Sequence, residues 1–342
     1  MSTEAAPPRT SRIWPVIWTV SKILLCLLVL WYVGRQGWDM WGQVSEKPIQ
    51  VRWSWFAVSA LLTVAAWIPC LWYWRWMMRA FGCDVPWFDA AHSYYVGHLG
   101  KYVPGKATVI VIRTALLTRL GLRPAVGAFT VTVEALTYMA AGLTTAASLV
   151  PFAAADFPQL PFLKTVADSS VLRVLVPAGI AVAGVLSLTL ASRQFVTIAT
   201  RMAAKRGEPA GAFPPLPRGM LVVGFAVFLA AWWIQGLGLG ATIAAVSPEH
   251  ARLIDWPRWT GAAAAALVGG FVVLFTPGGL GAREAVLLAL LSQLTPPEAA
   301  LVTVLWRAAT LVGELAIVAA LVGAKFLRGQ ATGPLSDGRG SV

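Results

Sequence analysis

The chain has 342 residues, 58% apolar and 12% charged, and its 27 Lys and Arg against 15 Asp and Glu leave a net charge of +12. Ordinary soluble domains are about 25% charged, so most soluble readings are excluded, and 17 Trp with 14 Phe exclude a disordered chain. What remains is an all-α polytopic membrane protein, whose cationic excess belongs to cytoplasmic loops and anionic lipids rather than to nucleic acid.

Residues 1–13 read as a cytoplasmic tail carrying Arg9 and Arg12. The apolar run from Ile13 to Gly34 ends without a small-residue cleavage pattern, so it predicts an uncleaved first helix rather than a signal peptide. Apolar runs predict about six full spans, near 14–34, 54–79, 124–150, 171–191, 219–246 and 298–325, within a single membrane domain covering 14–325. Trp67, Trp72, Trp74 and Trp76, in the second span, fit an interfacial belt. Cys26 and Cys70 lie in apolar stretches and Cys83 just beyond one; without CxxC spacing they read as small buried residues. The tail 326–342 is expected to be cytoplasmic and disordered.

Two further apolar regions contain helix breakers and predict broken re-entrant hairpins. Residues 86–120 are interrupted at Val103, Pro104 and Gly105, and 258–294 at Thr276, Pro277, Gly278, Gly279, Leu280 and Gly281. Non-helical backbone at membrane depth is tolerated only where it is buried in protein or lines a cavity. The linker 192–218 carries Arg193, Arg201, Lys205, Arg206 and Arg218 against Glu208 alone, which places it in the cytoplasm. Both termini then lie inside, and parity makes the two hairpins enter from opposite sides. A shift of 173 residues aligns Pro104-Gly105 with Pro277-Gly278, Pro124 with Pro297, and Glu134 with Arg307. That pattern describes an inverted repeat of the kind built into secondary transporters.

Ionisable groups at membrane depth each need a partner or a task. Around the first breaker stand His98, Lys101, Lys106 and Arg113; around the second stand Arg283 and Glu284. Backbone N–H groups at helix starts, arginine forks and lysine point charges all suit a phosphate-like anion. Lys101, Lys106, Arg113, Arg283 and Glu284 are therefore the candidate substrate-binding residues, on backbone shaped by Pro104, Gly105, Pro277, Gly278, Gly279 and Gly281. Lys101 and Lys106 are equally open to snorkelling towards headgroups, and Arg283 to pairing with Glu284. Glu134 and Arg307 read as a structural salt bridge joining the repeats, with Glu314 left open as a structural or coupling charge. His92 and His98 read as hydrogen-bonded wall residues, and no metal or cofactor is expected. HExxH, P-loop, GxGxxG and GxSxG patterns are missing, so an enzyme is not expected.

The stretches LGKYVPGKATVIVIRTALL, 99–117, and PGGLGAREAVLLALL, 277–291, resemble the lysylphosphatidylglycerol synthase/flippase transmembrane family, of the multiple peptide resistance factor type. The resemblance runs over roughly 14–325. It implies an inner-membrane protein that moves lipids between leaflets, with members linked to aminoacylated phosphatidylglycerol, hopanoids or isoprenoid-linked glycans. Lys101, Pro104, Gly105, Lys106 and Arg113 match the first family motif, and Gly278, Gly279, Gly281, Arg283 and Glu284 the second. Glu134 and Arg307 match family charges in the helices that follow. The family usually continues after Glu134 with Arg and later Asp; here Ala135 and Tyr138 stand there, so a reduced charge network is implied. Bifunctional members carry a soluble aminoacyltransferase domain after the membrane region, and the short stretch after the last span here makes lysine transfer unexpected.

The sequence thus predicts an inner- or plasma-membrane transporter with cytoplasmic termini, moving an anionic phospholipid or an isoprenoid-linked lipid between leaflets. Its partners are lipids with anionic headgroups, with a homo-oligomer or an envelope-synthesis enzyme as further possibilities. The alternatives are a non-transporting accessory or scaffold protein for lipid or envelope synthesis, and, more weakly, an intramembrane transferase.

Overall fold

A computed structural model describes residues 49–102, 107–149, 165–166, 168–204, 218–272, 279 and 281–331. The expected first span at 14–34 lies outside them, as do Pro104, Gly105, Lys106, Pro277 and Gly278. The described residues form helices and turns with no strand among them. In chain order the α-helices are α1 (Trp53–Ala65), α2 (Trp67–Ala80), α3 (Trp87–His98), α4 (Ala107–Thr118) and α5 (Pro124–Leu149). They are followed by α6 (Ser170–Ala204), α7 (Arg218–Val246), α8 (Trp256–Val272), α9 (Ala282–Leu290) and α10 (Pro296–Ala331). Five stretches are long and apolar enough to cross a membrane: Trp53–Ala80, Pro124–Leu149, Ser170–Ser187, Gly219–Val246 and Pro296–Arg328.

The expected span 54–79 is found as Trp53–Ala80, with a local break in the helix at Ala66, because Pro69 has no N–H for the Ala65 carbonyl and its ring crowds that turn. Two sequence expectations need correction. The tryptophans do not form one belt: Trp67 and Trp74 are buried, whereas Trp72 is exposed. Trp74 instead donates its indole N–H to Thr130 Oγ1 at 3.2 Å, which fixes α2 against α5. The linker beginning at 192 is helical through Ala204, so Arg193 and Arg201 ride on the end of α6 rather than in a loop.

Packing follows membrane rules, with small and hydroxyl-bearing residues at the closest approaches. Ser59 Oγ on α1 donates to the Gly238 carbonyl on α7 at 2.8 Å and lies 2.8 Å from Thr242 Oγ1. Within α5, Thr137, Thr144, Thr145 and Ser148 return their hydroxyls to carbonyls four residues back, so none is left dry in an apolar setting. One apolar core, around Tyr73, Trp74, Phe129 and Phe228, packs beneath α3 and α4. A second, around Leu239, Trp259, Leu287 and Trp306, packs beneath α8 and α9. The outer face of α6 leaves Val174, Val182 and Leu190 exposed, as a lipid-facing helix requires.

Candidate functional site

Both predicted interruptions are bracketed by helices: α3, a 3-10 turn at Leu99–Tyr102 and α4 on one side, α8 and α9 on the other. The limbs of the first hairpin meet at Gly97. A Cβ there would stand 2.3 Å from Arg113 Cγ, so only glycine lets α3 and α4 close. In the second hairpin Gly279 (φ +71°) lies against Gly270, where a Cβ would come within 2.7 Å of backbone. Gly281 (φ +86°) then turns the chain into α9.

Arg113 is buried and fully engaged on its outer nitrogens. Its Nη1 is paired with Glu134 Oε2, Nη2 lies 3.3 Å from His98 Nδ1, and the guanidinium sits 3.8 Å over the Tyr94 ring. Tyr94 donates its hydroxyl to the other Glu134 oxygen at 2.7 Å. Since a guanidinium can only donate, His98 Nδ1 accepts and a neutral ring carries its hydrogen on Nε2. That Nε2 points towards Glu314 Oε1, 3.6 Å away. Glu314, buried on α10, is paired with Lys101 and accepts from the Tyr102 hydroxyl at 3.0 Å. A polar chain therefore runs from Glu134 through Arg113 and His98 to Glu314 and Lys101.

Glu284 and Arg283 diverge although adjacent. Glu284 takes the Gly281 N–H on Oε2 at 2.7 Å, capping α9, and pairs through Oε1 with Arg307 on α10. Arg283 is 8% exposed and has no carboxylate partner among the described residues; its guanidinium lies 4.4 Å over the Trp306 ring. The Glu134–Arg307 bridge expected between the repeats is not made, because each residue has a nearer partner on its own hairpin. The link between the two halves is Lys101 to Glu314 instead. Among these residues four cations, Lys101, Arg113, Arg283 and Arg307, face three carboxylates, Glu134, Glu284 and Glu314. One positive charge, on Arg283, is left over.

Tyr94 and Tyr102 were not singled out from the sequence, though both signals were present. Tyr94 precedes His98 by one helical turn, and Tyr102 sits next to Lys101. His92 is buried on α3, and no cluster of three metal-ligating side chains occurs among the described residues.

The family model described as "Lysylphosphatidylglycerol synthase TM region" matches residues 19–317. The chain belongs to this family. No curated protein and no solved structure matches it. Family membership makes this a membrane protein involved in lipid handling, and the charged cluster between the two hairpins falls inside the matched region. One turn beyond Glu134 on α5, Tyr138 packs 5.2 Å from Trp67 and 4.4 Å from Trp232. Glu134 draws its countercharge from the hairpin, at Arg113, rather than from its own helix.

Proposed function

We propose that this family member is a lipid transporter of the flippase type, moving an anionic phospholipid or isoprenoid-linked lipid between the leaflets of the cell membrane. The observation that carries the reading is Arg283. A guanidinium at membrane depth without a countercharge costs about 3 kcal/mol even on insertion scales, and a lipid phosphate supplies that charge while its chains stay in the bilayer. Arginine offers a phosphate two parallel donors, and the N-terminal dipole of α9 adds favourable potential beside it. Lys101 and Arg307, each already paired, supply secondary positive charge. Arg113 is enclosed by Glu134, Tyr94 and His98, and its task is to hold the first hairpin.

Several features support an inverted repeat with alternating exposure. Gly97 and Gly270 are also 173 residues apart, and each lies against an arginine of the returning limb, Arg113 or Arg283. Each returning limb is ion-paired to the helix that follows, Arg113 with Glu134 and Glu284 with Arg307, with the signs exchanged. Cytoplasmic termini follow from the cationic linker after α6. The chain acts without enzymatic chemistry in this reading.

The test is movement of fluorescent anionic and isoprenoid lipids in proteoliposomes, with wild type beside Arg283→Ala. Movement lost in the variant supports the transporter; no movement by folded wild-type protein overturns it in favour of an accessory role.

A further inference from the structure

The three carboxylates of the charged cluster differ in how firmly their cations are held. Glu134 faces an arginine enclosed by Tyr94 and His98, and Glu284 is fixed by the Gly281 N–H as well as by Arg307. Glu314, with its side chain 1% exposed, is paired with a lysine whose side chain is 27% exposed. An ammonium on a four-carbon stem changes partners by rotation, without movement of a helix. Lys101 also lies within electrostatic reach of Arg283 and Arg307, and Arg283 within reach of Glu314. A phosphate held by Arg283 and the Glu314 carboxylate would therefore compete for the same ammonium.

With Lys101 turned to the phosphate, an ionised Glu314 would be buried and unpaired, which is strongly unfavourable. Its surroundings fit the alternative, a neutral acid. Because His98 Nδ1 accepts from Arg113, the ring hydrogen sits on Nε2, a buried donor without a hydrogen-bond partner among the described residues and 3.6 Å from Glu314 Oε1. That oxygen is the one Lys101 occupies, and once vacated it can accept the imidazole N–H. A proton on Oε2 finds the Tyr102 oxygen 3.0 Å away, which accepts it as the phenol hydrogen turns aside. His98 cannot take the proton itself, since a hydrogen on Nδ1 would face the Arg113 donor. The other ionisable groups facing Glu314 are Tyr95 from α3, Arg283 from α9 and Arg307 two turns back on α10. Helix α1, packed against Gly313, carries none, and α7 carries only Arg218, at its first residue.

We propose that Glu314 takes up a proton when Arg283 binds a lipid phosphate, with Lys101 passing from the carboxylate to the phosphate. The proton comes from water, the carboxylate becomes a carboxylic acid, and the ammonium keeps its three hydrogens. Proton and lipid then favour one another's binding by the same factor. This rests on the transporter reading and adds its energy source: the empty carrier returns with Lys101 and Glu314 paired, the loaded one carries a proton with its lipid, and a pH gradient drives lipid towards the alkaline side.

Isothermal titration calorimetry of the purified protein with dihexanoyl phosphatidylglycerol tests this, the probe's phosphodiester keeping one negative charge over about pH 5.5–8.5. Titrations in buffers of different ionisation enthalpy count the protons taken up per lipid bound. Wild type is expected to take up as much as about one proton, with affinity rising as pH falls by at most about tenfold per unit. Glu314→Gln, checked as monodisperse, binds the probe without uptake and with an affinity independent of pH. Glu314→Asp, a milder change that keeps the carboxylate, keeps uptake and shifts the pH at which it is greatest. Zero uptake by wild type at every pH, uptake unchanged in Glu314→Gln, or an unshifted maximum in Glu314→Asp overturns the proton site and leaves the phosphate site standing. A wild type that binds no probe at any pH overturns both.

Discussion

Arg283 and Arg113 look alike in sequence, each a lone arginine a few residues beyond a Pro-Gly break, and the structure gives them opposite circumstances. Arg113 is neutralised by Glu134 and fixed by Tyr94 and His98; Arg283 has no ion-pair partner among the described residues and lies over the face of Trp306. Substitution should separate them. Arg283→Ala is expected to abolish lipid movement while changing the thermal midpoint little, since no ion pair is broken. Arg283→Lys should retain part of the activity, a point charge replacing a fork. Arg113→Ala strands Glu134 in the core, a loss of about 3–5 kcal/mol by analogy with broken buried pairs, and the double variant Arg113→Met with Glu134→Leu should recover most of it. Thermal unfolding of the purified variants reads this directly. A double variant as unstable as the single one would mean that Arg113 holds the hairpin through something other than its charge.

Helix elements were largely legible because their signals are local. Apolar runs of sufficient length mark spans, and Pro with Gly marks the two interruptions, which α3–α4 and α8–α9 flank. The break at Ala66 was equally readable from Pro69 but hidden by the apolar run around it. The ion pairs were not readable: Glu134 and Arg307 matched by repeat position, yet pairing is decided by which side chains face one another. Arg113 with Glu134, Glu284 with Arg307 and Lys101 with Glu314 are joined across different separations in the chain. The closing of a hairpin also has a testable local cause. Gly97→Val is expected to lower the thermal midpoint by several degrees, because its Cβ would collide with Arg113 Cγ. Gly179→Ala, at a position on α6 with open space around it, should be neutral or slightly stabilising. Equal effects of the two would remove the close approach of α3 and α4 as the reason for glycine at 97.

For the molecule as a whole, the decisive property is the sidedness of the two hairpins. The interior geometry is compatible with either orientation of the whole, and charge alone chooses between them: residues 192–218, from the end of α6 to the start of α7, carry five cations against Glu208. If that segment is cytoplasmic, α5 begins inside, so the exposed turn at Arg119 that precedes it is inside as well. Parity through α7 then puts the exposed Ser292, at the far end of the second hairpin, on the opposite side. The two hairpins would thus approach Glu314 and Arg307, two turns apart on α10, from opposite faces of the membrane. Each limb pairing would guard one entrance to Arg283. In a cysteine-free background, Arg119→Cys is expected to react with a membrane-impermeant maleimide only after the cells are opened. Ser292→Cys should react in intact cells. Labelling of both from one side would make the hairpins parallel rather than inverted, and a lipid phosphate at Arg283 could then be reached from a single leaflet only, which no transporter permits.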